Sequence, residues 1–347
     1  MFPFNAGAPR PADGDARLTA AHDLVRHTLS QHGLMPGGDG AASPLGGWTL
    51  PKMPAFGMDT GSDASAHGTI TDRFICDAGS RDFLLHVPDA AKDGATGLVV
   101  MLHGCNQNSA DFATGTGMNA LADQGDFIVL YPQQSRGDNA QSCWNWFSRG
   151  DQLCGKGEPA IIAGMAQKIA TEHGVDAGRI FVAGLSAGGA MAVILGRTYP
   201  DIFAGVGAHS GLPYSAARDV PGAFAAMGGH ATAPALPGPM PPTIVFHGTA
   251  DGTVAAVNGE RIAAQAVDHA AQTIEEDSRG NTGGRDWTLR TSSDDDGRAR
   301  LEHWQIAGLG HAWSGGQPNG SYTDPKGPDA SAEMIRFFFD LAGNPEK

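Results

Sequence analysis

Ile180-Phe-Val-Ala-Gly184-Leu185-Ser186-Ala187-Gly188-Gly189-Ala-Met-Ala-Val-Ile-Leu-Gly-Arg-Thr198 opens apolar, turns through glycines that flank a serine, and continues as an apolar helical run. A short all-apolar run ending at glycine reads as a buried strand, Ile180–Ala183, and Ser186–Thr198 reads as a helix. Between them Gly184-Leu185-Ser186-Ala187-Gly188 matches G-x-S-x-G in the strand–turn–helix setting where that pattern forms a nucleophile elbow. Two glycines let backbone approach on both sides of a sharp turn and push the serine hydroxyl out at the top of a sheet. The helix N-terminus beneath it favours a developing anion. The competing reading is a glycine-rich turn with Ser186 as an N-cap.

The same alternation extends outward along the chain. Phe83–Val87, Leu98–Leu102, Phe127–Tyr131 and Thr243–His247 are further short apolar runs. Glu158–His173, Gly259–Ala271 and Ala330–Leu341 have helical patterning. Short all-apolar strands alternating with helices predict an α/β fold: a mostly parallel central sheet covered by helices on both faces. Asp286–Thr291 and Ala299–Ile306 read instead as a hairpin, with Asp294-Asp295-Asp296-Gly297 as its polar turn rather than a cation site.

A serine hydroxyl needs a base, and the base needs an acid to fix its tautomer. In α/β-hydrolases these follow in the order serine, acid, histidine. Asp251 lies just past the strand Thr243–His247, and His311 follows the strand Ala299–Ile306 in Gly308-Leu-Gly-His311-Ala-Trp313. Such sites assemble at the carboxyl ends of strands, so Asp251 is the expected acid and His311 the expected base. Bland readings of both remain: a turn cap for Asp251 and a loop histidine for His311. Of the rival bases, His247 and His303 look structural, and His209 precedes the usual order but could line the pocket. Oxyanion stabilisation needs backbone donors. The Ala187 N–H is one candidate. The Cys105 N–H is the other, in the turn after Leu98–Leu102, although His103-Gly104 also suits an ordinary strand-to-helix turn.

Several motifs occur in order: Leu102-His-Gly-Cys105-Asn-Gln, Cys143-Trp-Asn-Trp-Phe147, Gly157-Glu-Pro-Ala-Ile-Ile162, Val182-Ala-Gly-Leu-Ser186-Ala-Gly-Gly189, His209-Ser-Gly-Leu-Pro213 and Gly310-His-Ala-Trp-Ser-Gly-Gly316. Together they resemble poly(3-hydroxybutyrate) depolymerase-type esterases, a family with feruloyl and acetylxylan esterases among its relatives. The resemblance runs from about Gly68 to Leu341. It implies an α/β-hydrolase with Ser186, Asp251 and His311 as its triad, Cys105 and Ala187 as oxyanion donors, and no cofactor. It further implies a disulfide between Cys105 and Cys143. That bond would tether Trp144, Asn145 and Trp146 near the oxyanion loop, where with Trp313 and His209 they could contact substrate; aromatic packing is the alternative. The implied substrates are poly- or oligo(3-hydroxybutyrate) and short-chain esters. Feruloyl or acetylxylan esters are the alternative. A non-catalytic binding protein on a hydrolase fold and an acyltransferase are the readings from other classes.

Composition narrows the partners. Lys+Arg 23 against Asp+Glu 37 gives a net charge of −14, which argues against nucleic acid and anionic membranes. No apolar stretch of about 18 residues is present, and nothing points to a protein partner. Glycine, 50 of 347 residues, without a G-X-Y period belongs to tight turns. Four cysteines without a C-x-x-C pair give no zinc or thioredoxin motif, and the histidines lack metal-ligand spacing, so no metal is expected. Gly150-Asp-Gln-Leu-Cys-Gly155-Lys156-Gly157 has glycine where a phosphate loop needs Ser or Thr. Residues 1–66, rich in Gly, Pro, Ser and Asp, are expected to form a partly disordered extension with one short helix over Asp15–His32. The catalytic domain is expected over 67–345. The N-terminus shows no leader pattern, which makes the cytoplasm the default expectation with secretion open. With the sequence ending at Lys347, no C-terminal polymer-adsorbing module is expected.

Overall fold

The computed structural model describes residues 68–230, 238–268 and 274–342. The expected N-terminal extension, its helix over Asp15–His32 and the far end of the 67–345 domain lie outside them. The described chain runs β1 (Thr69–Cys76), β2 (Gly79–His86), β3 (Leu98–Leu102), α1 (Ser109–Thr116), α2 (Met118–Gly125), β4 (Ile128–Pro132), α3 (Gly157–Glu172), β5 (Ile180–Leu185), α4 (Ala187–Thr198), β6 (Gly205–His209), α5 (Val220–Met227), β7 (Thr243–Gly248), α6 (Val257–Val267), β8 (Ile274–Thr282), β9 (Arg285–Ser293), β10 (Ala299–Ile306), the short strands β11 (Trp313–Ser314) and β12 (Thr323–Asp324), and α7 (Ala330–Ala342). Among the described residues no helix is long and apolar enough to cross a membrane.

Ten strands form one sheet in the order β1-β2-β4-β3-β5-β6-β7-β10-β9-β8. The central strands from β4 to β10 pair in parallel, and antiparallel strands flank them on both sides. β3 shows why the apolar runs are continuous. Leu98, Val100 and Leu102 point to one core, with α3, α4 and α6, while Val99 and Met101 point to the other, with α1, α2 and α7. A strand covered on both faces has no position left for a polar side chain. The rings of Phe181 and Phe338 stack at 4.8 Å and join β5 to α7. This is the α/β-hydrolase arrangement.

Three strands escape the apolar pattern. β6, Gly205-Val-Gly-Ala-His209, has weak strand propensity, yet a Cβ at Gly207 would approach Met334 Sδ to 2.8 Å. Its glycines serve close packing of α7 on the sheet, which overrides propensity. β1 and β8 are mostly exposed, so no buried face imposes alternation on them. The expected hairpin is present but longer, and β8 extends it into a three-stranded antiparallel ribbon. The Asp294–Gly297 turn is closed by Asp294 Oδ1, which accepts the amides of Asp296 and Arg298 at 3.1 and 2.9 Å.

Candidate active site

Ser186 stands between β5 and α4 with φ 58° and ψ −117°, a conformation costly for an L side chain and characteristic of functional turns. Its N–H donates to the His209 carbonyl at 2.9 Å, and its own carbonyl accepts the Ala190 N–H at 2.9 Å. The flanking glycines are required by contact. A Cβ on Gly184 would lie 2.5 Å from the Gly188 carbonyl, and one on Gly188 would lie 2.0 Å from the Leu102 carbonyl oxygen. The elbow is thus pressed against the end of β3, and Ser186 remains half-buried at the sheet's carboxyl edge.

The candidate acid and base come from loops after β7 and β10, adjacent parallel strands. Those loops are bonded to one another: the amides of Thr249 and Ala250 donate to Ile306 and Leu309 carbonyls, each at 3.0 Å, and Gly308 N–H donates to Thr249 Oγ1 at 3.0 Å. This brings together two residues 60 apart in sequence. His311 Nδ1 donates to Asp251 Oδ2 at 2.8 Å, which leaves Nε2 as the candidate proton acceptor. Asp251 Oδ1 accepts the Thr253 and Val254 amides at 2.9 and 2.8 Å. Burial would raise the Asp251 pKa, but the adjacent His247 imidazole, the His311 hydrogen bond and charge and the Val254 amide outweigh it. The carboxyl is held well below the usual range. The Asp251 side chain is fully buried, whereas that of His311 keeps 10% exposure.

The rival bases His247, His303 and His209 are buried. His247 Nε2 donates to the Val254 carbonyl at 2.9 Å and lies 3.5 Å from Asp251 Oδ2, so two imidazoles flank this carboxylate. His303 is buried, which lowers its pKa to about 4. His209 is wholly buried between the rings of Phe246 and Trp313. Its Nε2 accepts the Ser314 N–H at 3.0 Å. Burial, assisted by the His247 and His311 charges, lowers its pKa to about 3. His209 therefore braces the segment that follows His311 and shows no edge to solvent.

The candidate oxyanion loop is held from several sides. Cys105 and Cys143 form a disulfide with Cα atoms 4.3 Å apart. Gly104 N–H donates to Gln107 Oε1 at 2.9 Å, Asn106 N–H to the Gln141 carbonyl at 2.7 Å, and Trp144 Nε1 to the His103 carbonyl at 3.1 Å. Among the described residues the amides of Cys105 and Ala187 make no hydrogen bond, which leaves both free to meet an anion. Trp144 and Trp313 are fully buried with their indole N–H groups bonded internally, to His103 and Ser331. Trp146 is 6% exposed. Asn145 is half-buried, and its Nδ2 and N–H donate to Glu158 at 2.8 and 2.7 Å. The pocket-wall expectation for Trp144, Trp313 and His209 thus meets residues packed beneath the surface.

Glu158 is the residue that sequence reading missed. Buried at the start of α3, its carboxyl binds Asn145, Gln134 and Arg81 and so fixes the segment carrying Cys143. Burial and the Asp151 charge push its pKa up to about 7, against the hydrogen bonds and the Arg81 charge. A glutamate in a helical first turn ordinarily faces solvent. Its partner Arg81, 77 residues away, leaves no local signal.

A family profile described as esterase PHB depolymerase matches residues 81–283. Poly(3-hydroxyalkanoate) depolymerase C of Paucimonas lemoignei is 34% identical over 256 residues, 70% of this chain and 61% of that protein. Feruloyl esterase B of Neurospora crassa is 31% identical over 118 residues, 34% of this chain and 39% of that protein. The chain therefore spans less than two thirds of either relative's length. The acetyl xylan esterase structure from Aspergillus awamori superposes with a TM-score of 0.60 at 20% identity, covering 78% of this chain and 99% of that one, which supports the shared fold. With more than half its length matched by the profile, the chain belongs to the esterase PHB depolymerase family.

Proposed function

We propose that the protein is a serine carboxylesterase acting on oligo- or poly(3-hydroxybutyrate) and short-chain esters. The observation that carries this reading is the Asp251–His311 hydrogen bond of 2.8 Å at the sheet edge that also bears the left-handed Ser186. His311 Nε2 takes the Ser186 proton as Oγ attacks the ester carbonyl. The Cys105 and Ala187 amides receive the developing oxyanion, and His311 then protonates the departing alcohol. Water repeats the cycle on the acyl-enzyme and releases the acid. No step calls for a metal or cofactor.

A carbohydrate-ester substrate is the second reading, favoured by the feruloyl esterase relative; the same chemistry would serve it. The test is hydrolysis of p-nitrophenyl esters from acetate to octanoate, a 3-hydroxybutyrate trimer and methyl ferulate, by wild type and Ser186→Ala. The expected result is turnover of aliphatic esters and trimer, with a loss of about 10⁴-fold or more in the variant. Equal rates for both proteins would remove Ser186 from the mechanism, and preference for the ferulate would favour the second reading.

A further inference from the structure

A cavity of about 530 Å³ lies beside the oxyanion loop, within the range of about 300–1,000 Å³ usual for small-molecule sites. One wall is Asn106, Gln107 and Asn108, directly after the candidate donor Cys105. The loop links the cavity to the elbow. A Cβ on Gly104 would touch Gln107 Oε1 at 3.1 Å and Ser186 Cβ at 3.6 Å. Asn106 and Ser142, which flank the disulfide on its two arms, both line the cavity and both have positive φ, 63° and 52°. Such strain in non-glycine residues concentrates at ligand-binding walls.

Three arginines and two aspartates line this cavity, an excess of one positive charge. Arg73 is held by Asp82 through Nε and NH2, at 2.5 and 3.1 Å. Arg81 is shared between Asp138 at 2.9 Å and the buried Glu158 at 3.2 Å. Arg136, exposed at the cavity, makes no ion pair or hydrogen bond among the described residues. Asn108 uses its Oδ1 to accept the Asp111 N–H at 2.8 Å, which leaves its Nδ2 protons without a partner among the described residues. Among the described residues Arg136 is thus the one lining guanidinium without an acidic partner, and it stands with the unpaired Asn108 Nδ2 in a chain of net charge −14.

We infer that this cavity binds the carboxylate terminus of an oligomeric hydroxyacid substrate, with Arg136 as the pairing cation and Asn108 Nδ2 as a second donor. A planar guanidinium matches a carboxylate in bidentate fashion, and a polyester fragment carries one such end per chain. The inference rests on the polyester reading above and adds recognition of chain ends.

Binding is measured by calorimetry in the Ser186→Ala background, where turnover does not intrude, using the 3-hydroxybutyrate trimer as free acid and as methyl ester. The acid is expected to bind about tenfold tighter, the ratio for one charge-assisted contact. Adding Arg136→Ala should bring the ratio to about one, and Arg136→Lys should restore part of it. Equal affinities in the Ser186→Ala protein, a preference that survives Arg136→Ala, or binding of neither trimer would overturn the inference. Failure of the catalytic reading appears separately, as wild-type protein that cleaves no ester.

Discussion

At the residue scale, Asp251 is the most constrained group in the candidate site. It accepts two backbone amides and a histidine proton while a second imidazole stands 3.5 Å away. Asparagine would retain the shape but present an amide to His311 Nδ1 and favour the wrong tautomer. Asp251→Asn is therefore expected to lower kcat by about 10⁴-fold with little change in fold or KM. Steady-state kinetics beside circular dichroism checks this, and a loss under tenfold would indicate that His311 does not depend on Asp251. The Asp251–His311 pair was legible because each residue follows a strand end in the order expected of an acid and a base. Glu158, His103 and Gln134 were not, because their meaning lies in partners brought together by the sheet. The amide of Gln134 donates to His103 Nε2 at 3.1 Å, a contact that no local pattern announces.

At the element scale, the junction of β3, β5 and α4 has the closest approach at any described glycine. Gly188→Ala would place a methyl group 2.0 Å from the Leu102 carbonyl oxygen and 2.7 Å from that of His103, with backbone rather than a movable side chain on the other side. We expect a destabilisation of about 3 kcal/mol or more together with loss of activity. Urea denaturation measures the first, and a variant as stable as wild type would contradict the close-approach argument. The buried strands other than β6, and the helices α3, α4, α6 and α7, could be read from the sequence because burial on both faces or one face leaves a periodic mark. β8 and β1 could not, since exposed ribbons carry no such mark. α1, α2 and α5 are only eight residues each, too short for a clear period.

At the scale of the whole molecule, the buried titratable groups set how stability depends on pH. Burial lowers the pKa values of His103, His209 and His303 to about 4, 3 and 4 from an ordinary 6.5. Between pH 6.5 and 4 the unfolded chain binds these protons and the folded chain does not, so stability falls as pH falls. Glu158 has the opposite sign. Its folded pKa of about 7 exceeds the ordinary 4.5, so it favours the folded state at low pH and loses that contribution as pH rises through 7. Three histidines against one glutamate predict a net decrease in the denaturation midpoint from pH 6.5 toward 4. Glu158→Gln removes the opposing contribution and should steepen that decrease. A midpoint that is flat or rising toward pH 4 would contradict the assignment of these histidines as buried and neutral.

The central claim is that Ser186 is the nucleophile of an assembled triad, and covalent trapping tests it most directly. Wild-type protein treated with a fluorophosphonate and analysed by peptide mass spectrometry should carry one label, on the peptide containing Ser186. The label should be absent from Ser186→Ala and strongly slowed in His311→Ala. Labelling at another residue, or equal labelling of Ser186 without His311, would contradict the account.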